Sequence, residues 1–214
     1  MESVMRCPLC HEGAVSPFHR DQRRSYLRCA RCALVFVPAR YRLCREAERA
    51  EYDLHQNAVG ESGYEAFLAR LAAPLAARLA PGARGLDFGC GPAPALAHML
   101  QRQGFRVSLY DSFYRPDAAA LAYRYDFICA TEVVEHLHRP GSELARLWSL
   151  LLPGGWLGVM TKLVRDREAF TRWHYKNDPT HVCFFSRETW RWWAQRQGAH
   201  LEFIGADVIL LRRQ

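Results

Sequence analysis

The chain has 214 residues, half of them hydrophobic, and its formal net charge is +7. This length suits one domain of about 150 residues with a small appendage. No apolar run approaches the roughly 18 residues of a membrane span, and the first residues lack the apolar core of a signal peptide, so we expect a cytoplasmic protein with no membrane partner. The positive charge permits anionic partners without requiring them, because the arginines are scattered along the chain.

Two CxxC sequences near the N-terminus are separated by 18 residues. That spacing lets four thiolates close a tetrahedral zinc site, and eight cysteines without an export signal favour reduced thiols or metal ligands over disulfides. We therefore predict a zinc ribbon over residues 1–42 whose Zn²⁺ is structural, with the ligands Cys7, Cys10, Cys29 and Cys32. Its task, whether substrate recognition, lid formation or dimer contact, stays open. Alternating apolar residues indicate short strands around the metal: Phe18, Tyr26, Leu34, Phe36 and Val37.

Residues 43–63 form a charged connector, predicted to be helical from 43 to 57. It is either a solvated linker or a lid over the pocket of the next domain. Apolar residues then recur at helical spacing between 64 and 79, which predicts a helix packed on a sheet. In the lid interpretation, the residues that cap the pocket are Tyr52, His55 and Asn57.

The most informative segment is a glycine loop that follows a short apolar strand over residues 85–88. Asp87, Gly89 and Gly91 alternate there, and glycine is favoured where the backbone turns sharply and a ligand approaches it closely. The next predicted strand ends at Asp111, whose carboxylate can accept hydrogen bonds from both hydroxyls of a ribose. A dinucleotide site would need a third glycine where Pro94 stands, so a different nucleoside cofactor is favoured.

Further strands follow in the same order along the chain. Tyr125 to Ala130 is a short apolar run suited to a buried parallel strand, and it leads into the sequence TEVVEH. Later segments predict a helix from Gly141 to Leu152, a strand from Trp156 to Thr161, and a hairpin from Leu201 to Ile204 and from Val208 to Leu211.

Together these motifs resemble the class I S-adenosylmethionine-dependent methyltransferases, over residues 64–214. The resemblance implies an α/β fold: a Rossmann-like, seven-stranded, mostly parallel sheet with a C-terminal antiparallel hairpin. It also implies S-adenosylmethionine as cofactor. Only fourteen residues separate Asp111 from Asp126, so one element must be abbreviated there, and Asp117 is a candidate contact to adenine. The cofactor-binding residues implied by the resemblance are Asp87, Gly89, Cys90, Gly91, Asp111, Thr131 and Glu132.

Four side chains are candidates for the chemistry: Glu132, Glu135, His136 and His181. The first three share one face of a helical turn. The pattern is similar to that of metal-dependent O-methyltransferases of ubiquinone biosynthesis and of small-RNA 3′ ends, which implies a second metal, held either in an oxygen-rich Mg²⁺ site or in a zinc-like site. Two other interpretations remain, one in which His181 is a metal-free general base, and one in which the acidic residue only lines the donor pocket.

Residues 170–185 occupy the place where the resembled family builds its acceptor pocket. An aromatic wall for a ring-bearing acceptor is predicted there, formed by Trp173, His174, Tyr175, Phe184 and Phe185. Ser186 is the expected N-cap of the next helix, with Glu188 in its first turn, and Trp190 and Trp193 are assigned to packing. We expect Cys44, Cys129 and Cys183 to be buried thiols.

Three functions agree with these features. The first is methylation of a small-molecule acceptor, for which a hydroxyl is the expected methylated group. The second is methylation of RNA gripped by the zinc ribbon, which has a modest basic cluster: Arg20, Arg23, Arg24, Arg28 and Arg31. The third is a non-catalytic adaptor that has kept a donor-binding fold. The sequence leaves the oligomeric state open.

Overall fold

A mostly parallel sheet forms the centre of the computed structural model, which describes residues 5–54 and 62–214. Four of its strands are parallel, and the last two form an antiparallel hairpin, which confirms the predicted fold class. The strand order is β5-β4-β6-β7-β10-β9. The strands are β4 (Arg84–Phe88), β5 (Arg106–Tyr110), β6 (Tyr125–Thr131), β7 (Leu151–Met160), β9 (His200–Ile204) and β10 (Val208–Arg212).

Within the described residues this sheet has six strands, whereas seven were expected. The difference lies between Asp111 and Asp126, where a 3₁₀ helix, Ala118–Leu121, takes the place of a longer element. Asp117 is the N-cap of this helix, and its side chain accepts a hydrogen bond from the backbone N–H of Ala119. Fourteen residues are too few for a helix and a further strand, so β5 is left at the edge of the sheet.

Helices cover both faces of the sheet. Strand β6 is buried on both sides: Phe127 and Cys129 pack toward one face, and Ile128 and Ala130 toward the other, as alternation along a strand requires. Helices α2 (Ser62–Ala76) and α3 (Ala95–Arg102) lie on the first face, and α4 (Pro140–Leu150) and α6 (Arg187–Gln197) on the second.

Local capping agrees with the sequence at the start of α6. Ser186 accepts a hydrogen bond from the N–H of Thr189, and the Thr189 side chain accepts one from the N–H of Ser186, which forms a capping box. Trp190 and Trp193 are buried, as predicted. Cys129 and Cys183 are buried, as predicted. The prediction for Cys44 is wrong, because this residue is exposed at the N-cap of α1 (Arg45–Asp53), outside the hydrophobic core.

A second, antiparallel sheet is built from the N-terminal residues and one distant segment. Its strand order is β1-β2-β3-β8. The fourth strand, β8, lies long after the glycine loop in the sequence, and its residues Cys183 and Phe184 pair with β3. The strands are β1 (Val15–Arg20), β2 (Ser25–Cys29), β3 (Val35–Phe36) and β8 (Cys183–Phe184), and a short helix, α5 (Arg167–Thr171), packs on β1.

The two sheets share one continuous hydrophobic core. It joins the N-terminal Leu34 and Phe36 to Ile128 and Leu157 of the larger sheet. The predicted boundary at residue 42 thus separates strands that share one core. Among the described helices, none has the length and apolar character that crossing a membrane demands.

Candidate active site

One large cavity lies where the parallel strands β4, β5 and β6 end. Its volume is about 800 Å³. Loops after all three strands line it, because parallel strands present their carboxyl ends at the same edge of a sheet. Helix α1 contributes Arg45, Glu48 and Tyr52 to the wall, which places Tyr52 where the lid interpretation expected it. His55 and Asn57 lie outside the described residues.

The glycine loop uses two left-handed backbone conformations, with φ of +75° at Gly89 and +62° at Gly91. A Cβ on Gly89 would lie 2.4 Å from Cγ2 of Val133, whereas a Cβ on Gly91 would meet nothing within 4 Å. The N–H groups of Gly89 and Cys90 donate to the carbonyl of Tyr110, 2.8 and 3.2 Å away. The loop is therefore packed against protein at Gly89 and open at Gly91, and both glycines and Cys90 line the cavity.

Asp111 lines the cavity and organises the loops around it. Its Oδ2 accepts a hydrogen bond from the N–H of Gly91 at 3.0 Å, and its Oδ1 accepts from the N–H groups of Phe113 and Tyr114 at 2.8 and 3.0 Å. These bonds fix the carboxylate beside the glycine loop. Since each carboxylate oxygen has two lone pairs, Oδ1 is saturated by these bonds, and Oδ2 keeps the capacity to accept one further hydrogen bond from a ligand.

Asp87 does not line the cavity, although it was expected to bind the cofactor. It is 3% exposed behind the glycine loop. Burial raises the pKa of this carboxyl to about 7, despite a hydrogen bond from the backbone of Ala97 that lowers it. Its position indicates support of the loop rather than contact with a ligand. Asp117, the candidate adenine contact, is likewise absent from the described residues that line the cavity, since it caps a 3₁₀ helix.

Thr131 and Glu132 follow β6 and line the cavity. Thr131 Oγ1 and Glu132 Oε1 are buried, and neither has a hydrogen-bond partner within the described part of the chain. Glu132 also adopts a left-handed conformation, with φ of +51°, which is uncommon for a residue with a side chain and clusters at functional sites. Buried polar atoms without partners at a cavity wall are the groups that a bound ligand is expected to satisfy.

Glu135 lies behind the cavity wall. It is fully buried and does not line the cavity. The hydroxyl of Tyr175 donates to Glu135 Oε1 at 2.5 Å and lies 3.3 Å from Glu132 Oε2. Burial raises the pKa of both carboxyls. The phenol therefore joins two buried acidic groups, and Tyr175 is a site residue that the sequence had assigned to an aromatic wall.

His136 and His181 bring two imidazoles to the cavity wall. Their ring centroids are 4.6 Å apart, in an edge arrangement, and Tyr52 meets the His136 ring at 5.2 Å. Nδ1 of His181 lies 2.7 Å from the backbone carbonyl of Tyr175, and Nε2 lies 3.7 Å from Oδ2 of Asp178. Because a carbonyl only accepts, this hydrogen bond assigns the proton of the neutral ring to Nδ1.

A metal could be held by Glu135, His136 and His181, whose ligand atoms all lie within 4.8 Å of one another. Glu132, the fourth predicted member, is not part of this group. Two imidazoles and one carboxylate suit Zn²⁺ or Fe²⁺, whereas Mg²⁺ prefers oxygen ligands and water. The donor set therefore does not fit the oxygen-rich magnesium site considered from the sequence.

Comparison with known proteins agrees with this geometry. Residues 61–202 match the sequence profile of a family described as a methyltransferase domain. The chain belongs to this methyltransferase family. No curated protein matches the chain closely enough in sequence to count as a relative.

Solved structures show the same fold as this methyltransferase. A Burkholderia thailandensis 1,6-didemethyltoxoflavin N1-methyltransferase, solved with 1,6-didemethyltoxoflavin and S-adenosylhomocysteine, is 20% identical, with a TM-score of 0.56, over 92% of this chain and 99% of that chain. An O-methyltransferase family protein from the same organism is 15% identical, with a TM-score of 0.54, over 82% and 62%. The family match makes the protein a methyltransferase, and the two solved structures show that it has the fold of such enzymes.

The four cysteines of the methyltransferase's N-terminal segment form a compact cluster. Their sulfur atoms lie within 4.8 Å of one another, with Cys7 3.5 Å from Cys32 and Cys10 3.4 Å from Cys29. A tetrahedral site with Zn–S bonds of about 2.3 Å places sulfurs about 3.8 Å apart, so the cluster fits Zn²⁺.

The two CxxC turns of the cluster have the same backbone shape. The residue after each second cysteine is left-handed, with φ of +61° at His11 and +58° at Ala33. Its N–H donates to the carbonyl of the first cysteine, at 2.9 Å in one turn and 3.1 Å in the other. A repeated turn of this kind aims both sulfurs of each pair at a common point, which agrees with a metal site.

The predicted aromatic wall does not line the cavity: Tyr175, Phe184 and Phe185 are buried in the core, Trp173 is half-buried, and His174 is exposed. None of its five residues is among the described residues lining the cavity. Phe170 of α5 packs edge-on against Phe18, Tyr26 and Phe184, so these rings fill the space between α5 and the N-terminal sheet. The sequence shows that aromatic residues are present in this segment, but it does not show whether they pack in the core or line the cavity. The rings that do line the cavity are Tyr52, Tyr64, Phe67, Phe88, Tyr110, Phe113 and Tyr114.

Proposed function

We propose that this methyltransferase transfers the methyl group of S-adenosylmethionine to an oxygen atom of a small-molecule acceptor, with His181 as the general base. The observation that carries the proposal is the placement of the His181 imidazole at the wall of the same cavity that contains the glycine loop. Its Nδ1–H is held by the carbonyl of Tyr175, so the neutral ring has its lone pair at Nε2.

The donor is assigned to the glycine loop and the edge of β6. Oδ2 of Asp111 accepts a hydrogen bond from a ribose hydroxyl, and Gly91 leaves open space beside the cavity for the amino-acid portion. Cys90, Thr131 and Glu132 complete this set, and the unpartnered Thr131 Oγ1 and Glu132 Oε1 gain partners when the donor binds.

The acceptor is assigned to the region between Tyr52, His136 and His181. In the reaction, the acceptor oxygen forms a bond to the methyl carbon while the carbon–sulfur bond breaks, and the sulfur leaves as a neutral thioether. The hydroxyl proton passes to Nε2 of His181. Since a phenol ionises only near about pH 10, a base is needed at neutral pH. Asp178 Oδ2, 3.7 Å from Nε2, stabilises the imidazolium that results.

Alignment accounts for much of the remaining barrier. Holding donor and acceptor in line converts a two-substrate reaction into an effectively unimolecular one, worth on the order of 7 to 11 kcal/mol. A cavity of about 800 Å³ is within the usual size of a small-molecule site, and it can enclose a nucleoside together with a compact acceptor.

A second candidate is metal-assisted transfer. Glu135, His136 and His181 would hold the ion, and a bound Lewis acid would lower the pKa of the acceptor hydroxyl. In that case Tyr175 orients Glu135 through its hydroxyl, and the carbonyl of Tyr175 orients His181. The convergence of the three ligand atoms favours this candidate over one in which His136 only packs.

Methylation of RNA is disfavoured by how the ribbon arginines are used. Arg24 is buried, Arg28 pairs with Glu188 at 2.6 Å, and Arg31 pairs with Glu12 at 3.6 Å. Arg23 donates to the carbonyl of Asn177. Burial withdraws Arg24 from the predicted basic cluster, whereas the exposed pairs of Arg28 and Arg31 are weak, so four arginines of an already modest cluster are left for phosphates.

The test combines donor binding with methyl transfer. Calorimetry should detect S-adenosylhomocysteine binding to the wild type, and Asp111→Ala should weaken it. Transfer of a labelled methyl group to a panel of phenols and catechols then identifies an acceptor. His181→Asn keeps a donor for the Tyr175 carbonyl but lacks the base, and we expect about 10²- to 10⁴-fold slower transfer with donor affinity unchanged. The matched control is His174→Asn, because His174 is exposed and outside the cavity lining.

Each outcome has a distinct meaning. Unchanged transfer in His181→Asn would reject the base, and no binding of S-adenosylhomocysteine by the wild type would reject the donor site. Metal analysis separates the second candidate: a metal-assisted enzyme contains an ion that is lost in Glu135→Gln while the four-cysteine ion remains.

A further inference from the structure

A buried arginine connects the N-terminal sheet to the loop that carries His181. Arg24 lies in the turn between β1 and β2 and is 7% exposed. Its Nη2 donates to the carbonyls of Lys176 and Asp178 at 2.5 and 2.7 Å, and its Nη1 donates to that of Pro179 at 3.1 Å. Its Nε donates to the hydroxyl of Tyr26 at 3.0 Å. All three nitrogens of the guanidinium are thus engaged.

The turn itself is built to hold this arginine. Asp21 Oδ1 accepts the N–H groups of Arg23 and Arg24, both at 2.9 Å, and Oδ2 accepts the Tyr26 hydroxyl at 3.0 Å. Burial alone would raise the pKa of Asp21, but the hydrogen bonds from Arg24, Arg23 and Tyr26 lower it to about 2. The resulting carboxylate is connected to the buried guanidinium through the Tyr26 hydroxyl and lies 3.5 Å from Lys176 Nζ.

The same loop holds His181 from its other side. The carbonyl of Tyr175 accepts the imidazole Nδ1–H at 2.7 Å, and that of Asp178 accepts the backbone N–H of His181 at 3.3 Å. Arg23 donates to the carbonyl of Asn177 at 3.1 Å. Every carbonyl from residue 175 to residue 179 is therefore hydrogen-bonded, either to His181 or to the arginines of the N-terminal turn.

From these contacts we infer that Arg24 is a positioning residue for the His181 base, and that the N-terminal segment serves the reaction by fixing this loop. The inference rests on the proposed function of His181. The orientation of the imidazole depends on where the Tyr175 carbonyl points, and that carbonyl immediately precedes the residues that Arg24 holds. Buried carbonyls need partners, so without the guanidinium the loop must rearrange to find water or other donors.

The experiment uses the full chain labelled with ¹⁵N-histidine. NMR distinguishes protonated from unprotonated ring nitrogens, so it reports whether His181 holds its proton at Nδ1. In the wild type we expect a single Nδ1–H tautomer for His181. In Arg24→Ala we expect this signal to shift to a mixture of tautomers, while the dissociation constant of S-adenosylhomocysteine, measured by calorimetry, changes less than about threefold because the donor region is untouched.

Two further variants show whether a change in the His181 tautomer is specific to the guanidinium of Arg24. Arg28→Ala removes an exposed arginine of the same sheet and should leave the His181 tautomer unchanged. Arg24→Lys preserves the charge but not the fork of donors, so it should fold and bind S-adenosylhomocysteine like the wild type without restoring the single tautomer. A wild-type tautomer in Arg24→Ala, or loss of cooperative unfolding in both Arg24 variants, would overturn the inference. Loss of S-adenosylhomocysteine binding by the wild type would instead count against the proposed donor site.

Discussion

The two glycines of the donor loop allow one substitution to be compared at two places. Gly89→Ala puts a Cβ 2.4 Å from Val133 Cγ2 at φ +75°, whereas Gly91→Ala puts it in open space at φ +62°. A left-handed alanine costs about 1 to 2 kcal/mol in either case. Overpacking adds about 1 to 3 kcal/mol at Gly89 only, so we expect a loss of about 2 to 5 kcal/mol there against about 1 to 2 kcal/mol at Gly91.

The affinity for the donor should fall more in Gly91→Ala than in Gly89→Ala, although Gly91→Ala is the less destabilised of the two variants. The Cβ at Gly91 adjoins the cavity, and an overpacking cost of about 1 to 3 kcal/mol in the complex corresponds to about 5- to 150-fold weaker binding. Urea unfolding gives the stabilities, and calorimetry with S-adenosylhomocysteine gives the affinities. The double variant Gly89→Ala/Val133→Ala should recover the overpacking part, as a coupling energy in a double-mutant cycle. Equal stability losses at both glycines, or wild-type affinity in Gly91→Ala, would refute this account of the loop.

Three other changes test separate parts of the fold. Cys7→Ser should lower the zinc content from one ion per chain and reduce the unfolding midpoint, whereas Cys44→Ser, at an exposed thiol, should alter neither; equal zinc content in both would contradict the metal site. Tyr175→Phe leaves the buried Oε1 of Glu135 without this donor and should cost about 1 to 3 kcal/mol in urea unfolding, against under about 0.5 kcal/mol for Tyr114→Phe at an exposed bond to Asp53. The lowered pKa of Asp21 predicts stability that is present above about pH 4 and lost as the pH falls toward 2, and Asp21→Asn should flatten that part of an acid-unfolding curve.

The glycine loop, the position of Asp111 and the CxxC turns were predictable, because their conformations depend on residue types at short, fixed spacings in the sequence. Asp-x-Gly-x-Gly after an apolar run requires a sharp turn at the end of a strand, and both glycines are left-handed. The acidic residue twenty positions beyond Gly91 reaches back to the N–H of Gly91, which joins the two strand ends. The spacing of the two cysteines in each CxxC turn likewise predicts that their sulfur atoms lie close together. In each case the residues that matter are close in sequence or attached to a parallel strand whose end is known.

The remaining features depend on contacts that a single sequence does not reveal. The aromatic residues between 170 and 185 read as a pocket wall because nothing in the sequence indicates that β8 pairs with β3. Asp87 was predicted to bind the cofactor because the motif does not show whether its carboxyl lies on the cavity side of the glycine loop or on the buried side. Arg24 read as part of a basic surface, since its carbonyl partners lie about 150 residues later in the chain.

The pairing of β3 with β8 also has a consequence for how the protein is made. The cysteine turns can collect a metal ion as soon as they emerge from the ribosome, but the sheet that they border stays incomplete until Phe184 has been synthesised. During that interval β3 has an unpaired edge, and such edges are prone to pairing with other chains. A chain that still lacks Phe184 is therefore expected to aggregate more readily than the finished protein.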